Sequence, residues 1–225
     1  MSHLHIPDGV LPWIVWAPAW LLAVLLLALA AWITRRATPQ QVAFRGTLGA
    51  LVLAAMMLTL PLGPFEYHLS LIGLLGTLLG PAGAFEALFV VSAILGFAGH
   101  GGITVIGLNA LVLGAGAAVA RPLHRALTPR IGAANALAVA AGASQAVSGA
   151  AWAIVMVLVL KRMPGSWGGS TTLAGVAAIA ALIWISGIVV ETVVAAGLGR
   201  FLARVKPELL AADAAAARRA EGAAA

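Results

Sequence analysis

Apolar residues run through this chain in long blocks, separated by short breaks of glycine, proline and arginine. Trp13–Thr34 is an almost uninterrupted apolar stretch, long enough to cross a bilayer at about 20 residues per crossing. Its Trp13, Trp16 and Trp20 suit the headgroup level, where indoles collect. A second span is expected over Gly46–Leu62, then a polar break, Gly63-Pro64-Phe65-Glu66-Tyr67-His68. Leu69–Gly80 and Ala84–Ala98 are shorter than ordinary spans and are parted by Pro81-Ala82-Gly83. Ile103–Ala120 follows the break Gly99-His100-Gly101-Gly102, and two long runs, Ile131–Leu160 and Thr172–Leu202, close the apolar part.

The charges between these blocks set a topology. Lys and Arg favour cytoplasmic loops. The loop holding Arg35, Arg36 and Arg45, the basic loop Arg121–Arg130, and Arg200, Arg204 and Lys206 are therefore expected inside, with the N-terminus and the 63–70 loop outside. An odd number of crossings must then separate residue 70 from residue 121, which requires 69–80 and 84–98 to be distinct helices. The expected fold is all-α, a polytopic membrane bundle of about seven transmembrane helices with N-terminus out and C-terminus in. Lys161 and Arg162 fall on the outer side as one breach of the rule. Three parts are expected: an N-terminal segment (1–12), a transmembrane domain (13–205) and a polar cytoplasmic tail (206–225), read as a frayed helix.

Composition agrees: 62% of residues are hydrophobic and 9% charged, against about a quarter charged in soluble domains. With no cysteine, thiolate metal sites, disulfides and cysteine nucleophiles are excluded. The formal charge of +6 comes without a basic run interleaved with aromatics, which argues against nucleic acid. The N-terminus lacks the basic flank of a cleavable signal. No Gly-x-x-x-x-Gly-Lys-Ser/Thr occurs, so ATP hydrolysis would need other subunits. Gly114-Ala115-Gly116 lies in an apolar helix without such a lysine.

The topology sorts the five histidines. His3, His5, His68 and His100 fall outside; His124, among arginines, is expected to be a solvated or lipid-facing loop residue inside. An α-amine beside an early histidine is a natural chelate, because amine, amide and imidazole nitrogens form fused rings around one ion. Such in-plane nitrogen donors suit Ni(II) or Cu(II). If Met1 stays, its amine, two amides and His3 fill four positions. If Met1 is removed, the Ser2 amine with the His3 amide and imidazole supply three, and His68 is the candidate fourth. The stiff Ile6-Pro7-Asp8-Gly9-Val10-Leu11-Pro12 segment argues that this start is placed rather than loose, since two prolines fix backbone angles.

His5-Ile6-Pro7-Asp8-Gly9-Val10-Leu11-Pro12, Phe65-Glu66-Tyr67-His68-Leu69 with Leu79-Gly80-Pro81, and Gly99-His100-Gly101-Gly102-Ile103-Thr104 through Gly107-Leu108-Asn109 together resemble the CbiM/NikM substrate-binding subunits of energy-coupling-factor cobalt and nickel transporters, over roughly residues 5–205. The third block is nearer in wording to the nickel branch. The resemblance implies a metal held by the N-terminal amine, a near histidine and a distant one. His68 takes the distant role; His5 matches the family's motif, His3 its chemistry, and His100 and Met1 are further candidates. It also implies Ni2+ or Co2+ as cargo, a transmembrane coupling subunit, two cytoplasmic ATPases, a possible small accessory membrane subunit, and a bacterial or archaeal plasma membrane.

Small residues Gly46, Ala50 and Ala54 recur every four positions, allowing close helix approach; they are read either as internal packing or, by the resemblance, as the docking face for the coupling subunit. Glu86 and Glu191 lie in apolar stretches, where an unpaired charge is costly. Glu86 is read as interfacial. Glu191 is expected to find a polar contact at Asn109, Asn135, Gln145 or Ser148. Two rival functions remain, an intramembrane metal-dependent hydrolase and a stand-alone secondary metal carrier. The first lacks any His-Glu-x-x-His, and the second lacks an obvious proton relay.

Overall fold

The computed structural model describes residues 8, 9, 11–62, 65–162 and 173–211, with 59–62, 65, 66, 160–162 and 173–180 described by backbone alone. Its elements are α1 (Trp13–Thr34), α2 (Pro39–Met57), β1 (Thr59–Leu62), β2 (Phe65–His68), α3 (Ile72–Phe97), α4 (Ile106–Ile131), α5 (Ala133–Arg162) and α6 (Leu173–Val205). Among the described residues, five helices are long and apolar enough to cross a membrane: α1, α3, α4, and most of α5 and α6.

The expected span 46–62 is shifted. A capping box starts α2 early: Thr38 Oγ1 accepts from the Gln41 backbone N–H while Gln41 returns the bond to Thr38 N–H, with Pro39 in the first turn. Such reciprocal capping satisfies two otherwise orphaned donors. The chain then leaves the helix at Leu58 and forms a two-stranded antiparallel hairpin, with Thr59 opposite His68 and Leu62 opposite Phe65. The bundle is thus nearly, rather than wholly, helical.

α3 resolves the crossing problem at Gly80, whose φ of 71° and ψ of 175° break the helix. That conformation is essentially reserved for glycine, and Pro81 then starts the second half with its preset φ and no wasted donor. The two halves run in opposite directions. Gly76 lies against Ala117 and Gly80 against Arg121, so 72–79 runs parallel to α4. Gly114 meets Phe85 and Gly96 meets Ile106, so 81–97 runs antiparallel to it. The separation expected between 69–80 and 84–98 is therefore present, and the chain folds back on itself.

The remaining directions follow from similar contacts. Gly49 approaches Ala87 and Gly83 approaches Arg45, so α2 is parallel to 81–97. Gly116 meets Ser144 and Ser148, while His124 pairs with Ala133, so α5 is antiparallel to α4. Gly142 meets Thr192, Gly149 meets Trp184 and Gly199 meets Ala134, making α6 antiparallel to α5. Seven segments alternate, which puts the start of α1 and the end of α6 on opposite faces. The Arg35–Arg45 region, the end of α4 and the end of α6 gather on one face; the start of α1, the end of α2 and the start of α4 gather on the other.

Two expectations are corrected. Arg121–Arg130 is not a loop, because α4 continues helically through Pro122 and Pro129 to Ile131. His124 is neither solvated nor lipid-facing; it is buried, and its Nε2 lies 3.1 Å from the Ala133 carbonyl at the α4–α5 corner. A polar ring is held there by donating to a carbonyl of the first turn of α5. The tail is helical again from Pro207 to Ala211, and Leu210 packs into the main apolar cluster; residues 212–225 lie outside the described residues.

Candidate metal centre

The segment after β2 does not stay at the surface. Tyr67, His68, Ser70 and Leu71 are all buried, and their partners lie near the middle of α6. The first half of α3, eight residues at about 1.5 Å each, measures about 12 Å, less than half of a bilayer core about 30 Å thick. It begins at depth, and the loop carrying His68 dips with it. Tyr67, His68 and Ser70 of the 63–70 loop are thus buried within the bundle.

His68 Nδ1 stands 2.6 Å from the Met56 carbonyl oxygen. A carbonyl only accepts, so Nδ1–H is the donor, and in the neutral ring the lone pair is on Nε2. This is the usual way a metal-binding imidazole has its tautomer and ring plane fixed. The last turn of α2, which the hairpin folds back upon, supplies the acceptor.

The loop itself is pinned by Glu191 of α6, which is 1% exposed. Its carboxylate accepts from Ser70 N–H at 2.5 Å, Ser70 Oγ at 2.6 Å, Tyr67 Oη at 3.1 Å and Leu71 N–H at 3.2 Å. Of the four contacts expected for Glu191, the described hydrogen bonds include none directly; Gln145 instead lies 3.3 Å from Ser70 Oγ, at the edge of the same cluster. Leu71 has a left-handed φ of 50°, a conformation costing about 1–3 kcal/mol for a non-glycine residue. It turns the chain so that the N–H groups of Ser70 and Leu71, just ahead of α3, face the carboxylate. Arg121 holds the other end of this half-helix, donating from Nε to Thr77 O at 2.9 Å and from Nη2 to Leu78 O at 2.5 Å.

On the same face Asp8 is anchored to the turn before α4. Its Oδ2 accepts from Ile103 N–H at 2.9 Å, and its Oδ1 from Thr104 N–H at 2.9 Å and Thr104 Oγ1 at 2.5 Å. The Thr104 hydroxyl bond, helped by the two backbone N–H groups and opposed by partial desolvation, holds this carboxyl below its ordinary value. Trp20 Nε1–H donates to Thr104 O at 2.6 Å, fastening α1 to the same turn. Asp8 escaped the sequence reading as a functional residue. The signal was Pro7-Asp8-Gly9, since aspartate before glycine commonly gathers nearby N–H groups.

The other site residues sort as follows. Met1, Ser2, His3 and His5 lie outside the described residues. His100 is exposed and forms the end of a glycine cap: its N–H donates to Leu95 O at 2.9 Å, and Gly99, with φ of 80°, donates to Gly96 O at 3.3 Å. That pattern is the Schellman motif, an explanation for the turn independent of a metal. Among the described residues no three His, Asp or Glu side chains converge as a metal site. Glu86 is more than interfacial: it pairs with Arg45 at 2.9 Å and accepts from Thr34 Oγ1 at 2.5 Å, tying α1, α2 and α3 together. Gly46, Ala50 and Ala54 are all exposed on α2, and Gly46 and Ala50 line an outer groove of about 610 Å³ with Ala31, Val90 and Ile94. The internal-packing reading of that stripe is thereby corrected.

A family described as the cobalt uptake substrate-specific transmembrane region (CbiM) matches residues 5–209. A crystal structure of a truncated transition metal transporter is similar in fold, with a TM-score of 0.76 and 22% identity over 88% of this chain and 97% of the other. A second, of a transition metal transporter, gives 0.75 and 22% over 89% and 93%. Among curated proteins compared by sequence, none matches.

Proposed function

Since this chain belongs to the CbiM family of cobalt-uptake substrate-specific transmembrane proteins, we propose that it captures a divalent transition ion, Ni(II) before Co(II), at its extracytoplasmic face for ATP-driven uptake. The observation that carries the reading is the buried His68 ring, whose Nδ1–H is committed to the Met56 carbonyl and whose Nε2 is left as a donor. The N-terminal segment supplies the rest: the α-amine of Met1 or Ser2, an amide nitrogen, and the imidazole of His3 or His5. Asp8 fixes the end of that segment to the 103–104 turn, three residues beyond His5. Nitrogen donors in one plane favour Ni(II) over hard ions such as Mg(II) or Mn(II). Binding of this kind releases protons, because the amide and imidazole donors must be unprotonated.

The arginine-rich face is cytoplasmic and the Asp8 face extracytoplasmic, in the plasma membrane of a bacterium or archaeon. Transport needs a transmembrane coupling subunit, two cytoplasmic ATPase subunits and, in some assemblies, a small accessory membrane subunit. The exposed stripe Gly46, Ala50 and Ala54 is the docking face for the coupling subunit.

Calorimetry with purified full-length chain tests the site. His68→Ala is expected to weaken Ni(II) binding by more than about a hundredfold, beyond the range of outer-sphere changes, and a blocked N-terminus should do the same. His3→Ala against His5→Ala identifies the near imidazole. Tight binding by the N-terminally blocked protein would remove the amine from the ligand set and leave His100 as the next candidate.

A further inference from the structure

The Glu191 carboxylate holds the chain on both sides of His68. Tyr67 immediately before the histidine donates to it, as do Ser70 and Leu71 just after. All four donors come from one five-residue stretch, while the acceptor comes from a different helix more than a hundred positions away. The cluster is closed: Tyr67, Ser70, Leu71 and Glu191 are at most 4% exposed. His68 itself touches a third element, α2, through Met56. The ring therefore has two independent constraints, one on its own nitrogen from α2 and one on its backbone from α6.

We infer that Glu191 is a positioning residue of the metal site, setting the backbone of residues 67–71 and with it the direction in which His68 presents Nε2. The inference rests on the reading of His68 as a ligand. A square-planar ion tolerates little angular error at each donor, so a loop free to rotate about Leu71 would present the imidazole out of plane. Burial suits the role, because packed helices exclude water that would otherwise compete for the loop's N–H groups. Glu191 also makes the site sensitive to α6. A shift of that helix relative to the bundle carries the carboxylate with it, and the loop follows through four hydrogen bonds.

The test uses purified full-length chain with Ni(II) or Co(II) alone as probe, reading the dissociation constant by calorimetry and the ligand field by the visible spectrum of bound Co(II). Glu191→Gln replaces one acceptor oxygen by a donor group facing donors. It is expected to weaken binding by about 10–100-fold, the range for residues that orient a ligand, and to shift the Co(II) bands. Tyr67→Phe removes one donor and should move both readouts the same way by less. Ser186→Ala, whose exposed hydroxyl bonds, among the described residues, the Leu182 carbonyl of its own helix, should move neither. A merely structural role would lower thermal stability and leave the spectrum of the bound ion as in the parent chain. Unchanged affinity and bands in Glu191→Gln and Tyr67→Phe, with His68→Ala inactive, would overturn the inference alone. Intact binding in His68→Ala would remove the ligand reading beneath it. If Glu191→Gln does not fold, Tyr67→Phe decides by the same spectral criterion.

Discussion

Asp8 and Thr104 are joined twice, through the threonine backbone N–H at 2.9 Å and its hydroxyl at 2.5 Å, and this pair seats Asp8 on the turn that opens α4. The sign of its pH dependence follows from the lowered carboxyl pKa. A depressed folded-state value means the contribution is present above the ordinary value of 3.8 and is lost as pH falls through the lowered one. A spin label near residue 5 in the metal-free chain should stay immobilised throughout neutral and mildly acid pH and loosen only in strong acid. Asp8→Ala should loosen it at every pH and weaken Ni(II) binding by about tenfold, the lower end for an orienting group.

Gly80 and Arg121 give the second prediction. A Cβ at position 80 would come within 2.7 Å of Arg121 Nη1, and the backbone there is strained for any other residue. Gly80→Ala should cost about 1–3 kcal/mol from conformation alone, with more from displacing the guanidinium from the Thr77 and Leu78 carbonyls. Thermal unfolding in detergent measures it, and an unaltered Tm would contradict the fold-back.

Orientation is accessible because the chain has no cysteine. Single cysteines at His100 and Ala126, both exposed and on opposite faces, should separate cleanly with a membrane-impermeant maleimide on intact cells. His100→Cys is expected to label and Ala126→Cys to remain protected. The reverse pattern would invert the topology and put the metal face inside.

Ala50→Leu fills the exposed groove beside Gly46 and Gly49 and lies far along α2 from Met56. It should reduce recovery of the coupling subunit in a pull-down while leaving Ni(II) affinity unchanged. Equal recovery from parent and variant would assign that face to lipid.

The sequence by itself determined the membrane character, the helical segments and the break before Pro81. Lipid cannot hydrogen-bond the backbone, so spans must be long, apolar and helical, and arginines mark one side by a rule that acts on local sequence. His68 and the Pro7-Asp8-Gly9 turn were legible as residue types. Which way they faced was not. A helix apolar all round carries no stripe to say which side is inward, so the outward face of Ala50 and the burial of His124 had to come from packing. The same holds for Glu191: a carboxylate in hydrocarbon must find donors, but those of Tyr67, Ser70 and Leu71 lie about 120 positions away, and only the folded bundle brings them together. The tertiary structure likewise decided that the His68 loop is buried in the bundle, because its position is set by how short the first half of α3 is and by what caps its two ends.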